Sequence, residues 1–316
     1  MKILLLATRI GTAPAHVVLE VAAPAWQERA DITALPVSDG HGDFCDVMSF
    51  YTGSPLGTIG GTLVPSLLTG DDWYIDVSEA WGDDSKNLGI ALREALARSP
   101  KRITINLPVR VFPDMGTAML EELGADDTVA LADLLGATDL VITAAAPQPL
   151  LGVNGLPRWL DRHGILEPDA AQELEVSIGA SLPQSARTAL LGPIDAKSPT
   201  SGIGGGASLL LQAAGARFVW AGDLVAERVA HSLDSADLIV FVTGDVELDL
   251  PRSLAAVSER SSQTALPVLL IYGEGRILRH ELARFGLSGS YSYAANGGGL
   301  DGLARSMGPI AQTWAR

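Results

Sequence analysis

The sequence predicts an α/β protein built from two α/β domains with mainly parallel sheets. Three features carry this expectation. Short, nearly unbroken runs of Val, Ile and Leu recur along the chain, helix-like segments alternate with them, and the βα pattern that opens the chain returns at its end. Strands this apolar are buried on both faces, as parallel strands covered by helices are. An all-α packing of the same runs fails on their shortness and their β-branched content.

The first run spans residues 2–8, and 14–28 after it reads as an amphipathic helix with Pro14 near its first turn. A second strand, 32–37, stops at Ser38-Asp39-Gly40. Residues 52–76, rich in Gly and Thr, read as a β-hairpin region rather than a βα unit. A helix at 88–97 leads into strand 102–107, a helix at 115–123 follows, and further strands fall at 139–145, 237–243 and 267–272. Residues 182–206 carry Pro183, Pro193, Pro199 and a glycine cluster, so they read as loop before a helix at 207–214. Strand 267–272, helix 279–285, strand 291–294 and helix 300–315 form a closing βαβα unit like the opening one. The chain of 316 residues suits two domains. The pairing of its ends suggests a discontinuous Rossmann/flavodoxin-like domain from 1–85 plus 265–316, with 86–264 inserted as a second α/β domain.

Charge and composition remove several function classes. With 22 basic and 37 acidic residues the net charge is −15, which repels phosphate backbones and anionic lipid. No nucleic-acid or membrane partner is therefore expected. The single cysteine, Cys45, excludes an internal disulfide and any multi-cysteine zinc site. No run reaches the roughly 18 apolar residues of a spanning helix, and the apolar start is too short for a signal peptide. The expectation is a cytoplasmic protein acting on a small molecule, with a homodimer allowed.

Motif screening narrows the chemistry further. There is no G-x-x-x-x-G-K-[ST], H-E-x-x-H or G-x-S-x-G. His16, His41, His163, His231 and His280 form no i, i+3 or i, i+4 pair, so no metal-ligand set is assigned. The segment from Ser201 to Ala207 contains G-x-G-x-x-A before a helix: Gly202, Gly204, Gly205 and Gly206 offer bare amides that could hold an anion. A dinucleotide site needs a strand just before such glycines, and residues 195–200 are not strand-like, so a structural loop stays open beside the anion-binding one. Asp39, and Asp245, Glu247 and Asp249, follow apolar runs. Carboxylates beyond strand carboxyl ends can hold Mg²⁺ or take a proton from a hydroxyl, although Asp and Gly are also common in turns for backbone reasons.

Taken in order, these segments resemble the type I glycerate kinases, which phosphorylate glycerate with ATP and Mg²⁺. Pro36-Val37-Ser38-Asp39-Gly40 sits where that family has P-x-A-D-G-G-E-G-T, and residues 52–57 are similar to its T-G-P-L-G. Residues 75–80 resemble I-E-x-A, residues 89–92 resemble G-x-x-L, and residues 149–152 resemble the end of D-V-x-N-P-L-x-G. Gly202-Ile203-Gly204 is similar to the tail of A-G-G-L-G, and residues 236–244 to A-D-L-V-I-T-G. The likeness runs nearly end to end and implies a glycerate kinase I-like fold.

Departures fall where that chemistry should lie. D-G-G-E-G-T reads Asp39-Gly40-His41-Gly42-Asp43-Phe44, which loses the Glu. The G-I-G-G-S-A-T-N-D-G-G run corresponds to residues 106–116, where Pro108 and Pro113 cannot donate N–H and Val109, Val111 and Phe112 add bulk. The Asp of D-V-x-N-P-L falls at Ala145, the Arg of T-G-E-G-R-x-D falls at Glu247, and the P-D-S-F-K-G segment reads as residues 7–12 with Arg9. What the resemblance implies is ATP-dependent phosphorylation of glycerate or a similar small hydroxy acid, with activity reduced or lost. Asp39, Asp245 and Asp249 are its candidate catalytic carboxylates. Arg9, Gly40, His41, Arg110, Gly202, Gly204 and Gly205 are the candidate substrate or phosphate contacts, and ATP and Mg²⁺ the implied cofactors. A non-catalytic binding or interaction module on the same fold is the second reading, and a nicotinamide enzyme using the G-x-G-x-x-A loop a weaker third.

Overall fold

The computed structural model describes residues 1–182, 195–246, 250–275 and 279–315. The chain opens with β1 (Lys2–Ala7), α1 (Ala15–Ala22), α2 (Pro24–Gln27) and β2 (Asp31–Pro36). It continues through α3 (Phe44–Thr52), β3 (Gly57–Thr58), β4 (Pro65–Thr69), β5 (Asp72–Asp76), α4 (Lys86–Leu96) and β6 (Arg102–Leu107). Next come α5 (Thr117–Leu123), α6 (Thr128–Leu135), β7 (Asp139–Ala144), α7 (Leu156–Arg162), α8 (Pro168–Ser181), α9 (Ala207–Ala213) and β8 (Arg217–Phe218). The last stretch holds α10 (Ala221–Leu233), β9 (Leu238–Val242), α11 (Arg252–Gln263), β10 (Val268–Tyr272), α12 (Arg279–Arg284), β11 (Gly289–Ser292) and α13 (Gly299–Trp314).

Two compact units result, one from residues 1–39 and 221–316 and the other from 40–220. The first has a parallel sheet in the order β11-β10-β9-β1-β2. Counted within the unit this is 2-1-3-4-5, the flavodoxin-like doubly wound order, whose direction of winding reverses between β1 and β9. β9 and β10 are buried at every residue, and β1 at all but Lys2. Val18 and Trp26 from the first two helices and Leu303, Met307 and Ile310 from α13 join these strands in one core. The helix expected at 14–28 is two helices. Ala23 closes α1 by donating to the Leu19 carbonyl, and Pro24, which has no N–H, begins α2.

The second unit has a sheet in the order β3-β4-β5-β6-β7-β8. β3, β4 and β5 form an antiparallel meander, and β5 to β8 run parallel. Trp73, Ile75, Leu88, Leu92, Ile105 and Ile142 are among its core residues.

The unit boundaries correct the expected 85/86 and 264/265. Residues 40–85 belong with the second unit because β5 pairs with β6 along five residues, from Asp72↔Arg102 to Asp76↔Asn106. Residues 221–264 belong with the first because β9 lies between β1 and β10. Its side chains, Leu238-Ile239-Val240-Phe241-Val242, are buried throughout. The apolar character of β9 suits a central strand in either sheet, so hydrophobicity alone assigns it to neither.

At the start of β7, Asp139 takes Arg102 Nε at 2.7 Å and is gripped by Arg217 Nε at 2.9 Å and Nη2 at 3.0 Å. The Arg217 hydrogen bonds, followed by those of Arg102, outweigh partial burial and pull its pKa down to about 2. A carboxylate with a lowered folded pKa adds stability above its unfolded pKa, and that stability fades as pH falls through the folded one. The Asp139 contribution is therefore complete above about pH 5 and lost by about pH 1. With its side chain 34% exposed, the pair is screened to about 1 kcal/mol. Asp139→Asn should lower urea stability by that amount at pH 7 and leave it unchanged near pH 1. A pH-independent difference would contradict the assignment.

Candidate functional site

In the first unit the segments matched by the resemblance leave the carboxyl ends of neighbouring parallel strands. Arg9 follows β1, Asp39 follows β2 and Asp245 follows β9. At the reversal of strand order, Thr8 Oγ1 donates to Thr243 Oγ1 at 2.9 Å, and Thr8 N donates to the Val242 carbonyl at 3.0 Å. Tyr293, 1% exposed, donates its hydroxyl to the Thr243 carbonyl at 3.1 Å. Burial, with the nearby Asp245 charge, pushes the Tyr293 pKa up to about 12, so this phenol stays a donor at neutral pH.

Asp245 Oδ1 accepts from Glu274 N at 2.7 Å. Gly273 allows this approach, since a Cβ there would lie 2.2 Å from Asp245 Oδ1. Arg9 turns Nε onto the Gly11 carbonyl at 3.1 Å. Asp39 is 9% exposed; Oδ1 accepts from Ser253 N at 2.6 Å and Oδ2 from Ser253 Oγ at 3.0 Å. Ser253 is the second residue of α11, so Asp39 supplies from a distant segment what an N-cap side chain supplies locally. The capping residue itself, Pro251, makes no side-chain cap bond. Asp249 and Glu247 lie outside the described residues.

In the second unit a row of polar side chains crosses the carboxyl ends of three parallel strands. Asp76 on β5 is in register with Asn106 on β6, and Asn106 with Thr143 on β7. All three are buried, at 2%, 0% and 0% exposure. Asn106 Nδ2 donates to Asp76 Oδ1 at 2.9 Å and to the Gly40 carbonyl at 3.0 Å, while Asn106 Oδ1 accepts from Thr143 Oγ1 at 3.1 Å. Asp76 also accepts from Ser78 N, Ser78 Oγ and Phe44 N. Burial raises the Asp76 pKa despite the hydrogen bonds from Ser78, Asn106 and Phe44, which pull the other way. A buried carboxylate with a raised pKa beside a pocket is a functional-site signal. Asp76 lines a pocket of about 640 Å³ together with Gly42, Glu79 and Asn87.

The sequence reading passed over Asp76, Asn106 and Thr143 as site residues. Their signal was a polar residue at or one short of the end of each of three apolar runs, and only strand register reveals that they touch.

The glycine loop packs against the protein's own backbone. Gly202 N donates to the Gln148 carbonyl and Gly204 N to the Pro108 carbonyl, both at 2.8 Å. Cβ atoms at Gly202 and Gly205 would lie 2.7 Å from Pro149 O and 2.6 Å from Phe112 O. These glycines therefore serve close backbone packing against residues 108–115 and 148–149. The amides of Gly202 and Gly204 are already used within the chain. The helix that follows, α9, is only seven residues long.

Arg110 is exposed, has φ +64°, and stacks over Trp159 with its guanidinium carbon 5.4 Å from the ring centroid. Gly40 has φ +91° and accepts from Asn106, and His41 is exposed. His16, His163 and His231 are exposed too. Among the described residues no group of three or more His, Cys, Asp or Glu is placed to hold a metal ion, and no helix is long and apolar enough to cross a membrane. Cys45 is buried, and burial followed by the Asp76 and Asp46 charges raises its pKa well above the usual thiol value, which leaves it inert.

No protein-family model matches the sequence. Two uncharacterized proteins, one from Mycobacterium bovis and one from Mycobacterium tuberculosis, are each 26% identical over 243 residues, 73% of this chain. The chain spans 62% of the length of these relatives. The crystal structure of a provisionally named glycerate kinase 2 from Salmonella typhimurium LT2 superposes with a TM-score of 0.73 at 19% identity, covering 99% of this chain and 98% of the other. At that identity the likeness speaks for architecture, and over essentially its whole length the chain has a glycerate kinase-like α/β fold.

Proposed function

We propose that the protein is a glycerate kinase-like phosphotransferase for glycerate or a similar small hydroxy acid, with ATP-dependent turnover far below that of an intact enzyme of this fold. One observation carries the reading. Six segments of the resemblance leave the carboxyl ends of parallel strands: β1, β2 and β9 in the first unit, β5, β6 and β7 in the second. That edge is where open α/β sheets bind ligands.

The reduced turnover follows from the packed glycine loop and from residues 108–113, where two prolines and bulky side chains replace a phosphate-approaching run. Losing two or three charge-assisted hydrogen bonds at about 1.5–3 kcal/mol each removes roughly 2–6 decades of affinity or rate. A coupled assay of ADP release with D-glycerate and Mg²⁺, run beside an intact enzyme, tests this. A slow, glycerate-dependent rate is expected. A rate equal to the intact enzyme's would overturn the claimed weakness. Failure of D-glycerate to bind at millimolar concentration would sink the substrate assignment.

A further inference from the structure

Arginines of the second unit are mostly paired: Arg93, Arg98, Arg102, Arg158 and Arg217 each meet a carboxylate. Arg110, in the loop after β6, meets none among the described residues, and its guanidinium hydrogen-bonds no acceptor there. What it meets is an aromatic ring, with its guanidinium carbon 5.4 Å from the Trp159 centroid. Its backbone φ of +64° lies in the left-handed region, which an L side chain enters only under strain. Strain of this kind gathers at positions that bind or switch.

Trp159 lies on α7 and carries a second ring. His163 stacks on it with centroids 4.1 Å apart and planes 23° apart, and His163 Nδ1 donates to the Trp159 carbonyl at 2.8 Å. Arg162, three positions from Trp159 and so beside it on the helix, donates Nη2 to the Val153 carbonyl. Arg162 and His163 are exposed, as are Val153 and Ile165. Asp161, the one acidic residue of α7, is two positions from Trp159 and does not share its face. The charge of Arg158 is answered by Glu175 at 3.1 Å. A cationic and aromatic surface therefore stands on a chain whose net charge is −15.

Stacking on a ring fixes the plane of a guanidinium and leaves its edge free for a carboxylate, taken through two parallel N–H···O bonds. Trp and Arg side by side, with aliphatic surface around them, are what protein interfaces use as anchors. The net charge of the chain opposes nucleic acid and anionic lipid, whose charges come in dense arrays. A short acidic segment carries fewer charges against that field and brings apolar side chains as well. We propose that this face of α7, together with Arg110, docks an acidic segment of a partner protein. One Glu or Asp of that segment pairs with Arg110, and a neighbouring apolar side chain lies on Trp159. Docking of this kind requires no phosphotransfer.

Fluorescence anisotropy of the full chain with a short labelled peptide of Glu residues around a central Phe tests this, beside the same peptide with Gln for Glu. The Glu peptide is expected to bind, less tightly as salt rises, and the Gln peptide to bind far less. Arg110→Ala and Trp159→Ala should each weaken the Glu peptide about tenfold or more, the loss of one charge-assisted contact. Arg110→Lys should restore little of it, since an ammonium lacks the planar fork. Arg110→Gly, which relaxes the backbone, should bind as poorly as Arg110→Ala. Lys101→Gln removes a positive charge at the opposite end of β6, where the side chain is 81% exposed, and should leave binding unchanged. Equal losses in Lys101→Gln and Arg110→Ala would reduce the effect to general charge and overturn the proposal. So would the absence of Glu-peptide binding at millimolar concentration. Binding of inorganic phosphate that Arg110→Ala abolishes, without peptide binding, would give Arg110 to a small oxyanion instead. Self-association of the chain in sedimentation that Arg110→Ala abolishes, again without peptide binding, would give the face to a second copy and likewise overturn the proposal.

Discussion

Asn106→Leu is expected to destabilise the second unit by about 3–5 kcal/mol, the range for stripping a partner from a buried charge. Asn106 is fully buried, and its two amide hydrogens go to Asp76 Oδ1 and the Gly40 carbonyl. Leucine has similar volume, so the effect isolates hydrogen bonding from cavity formation. Asp76 would keep its bonds from Ser78 and Phe44 and lose its one side-chain amide donor. Thr143, also fully buried, would lose the acceptor of its hydroxyl. The unfavourable burial of the Asp76 charge would then be less opposed, and its pKa would rise further. Amide hydrogen exchange across β5, β6 and β7 reads this directly, because it reports the unit without assuming two-state unfolding of the chain. A loss under about 1 kcal/mol would mean that the row is not a connected network.

Asp39→Ala should lower stability by about 2–3 kcal/mol, since it leaves the buried Ser253 N–H and hydroxyl without their acceptor at the start of α11. Asp39→Asn keeps an acceptor oxygen for one of the two and should lose about half as much. The pair of variants separates two roles for this residue. A capping role predicts that both melt earlier by urea denaturation and that Asp39→Asn, once folded, retains most of any glycerate-dependent rate. A proton-accepting role predicts an Asp39→Asn protein of nearly native stability whose rate is abolished. The two acceptor bonds to Ser253 favour the first outcome.

Much of the architecture was legible in the residues because each signal was local. The expectation for 102–107 matches β6 residue for residue, and those for 139–145, 237–243 and 267–272 overrun β7, β9 and β10 by one or two residues. Runs with both faces apolar have few other places to go. The meander of β3, β4 and β5 was announced by its glycines and threonines. No element is expected at α3, between the strand stop at Ser38-Asp39-Gly40 and the hairpin region that begins at residue 52. Its apolar positions, Phe44, Cys45, Val47 and Met48, nonetheless follow the spacing of a buried helix face.

The sequence by itself therefore determined the α/β class, most strand positions and the segments that end up at strand carboxyl ends. Tertiary structure alone decided which sheet claims β9, because a strand buried on both faces is equally content in either. It decided that the glycines of 202–206 serve backbone packing, since a bare amide looks the same in a sequence whether a carbonyl or an anion meets it. It also decided that Asp76, Asn106 and Thr143 form one row, and that the carboxylate of Glu79 stands over Gly42. Residues separated by about 30 or more positions meet only through strand register and close approach, and no local pattern encodes either.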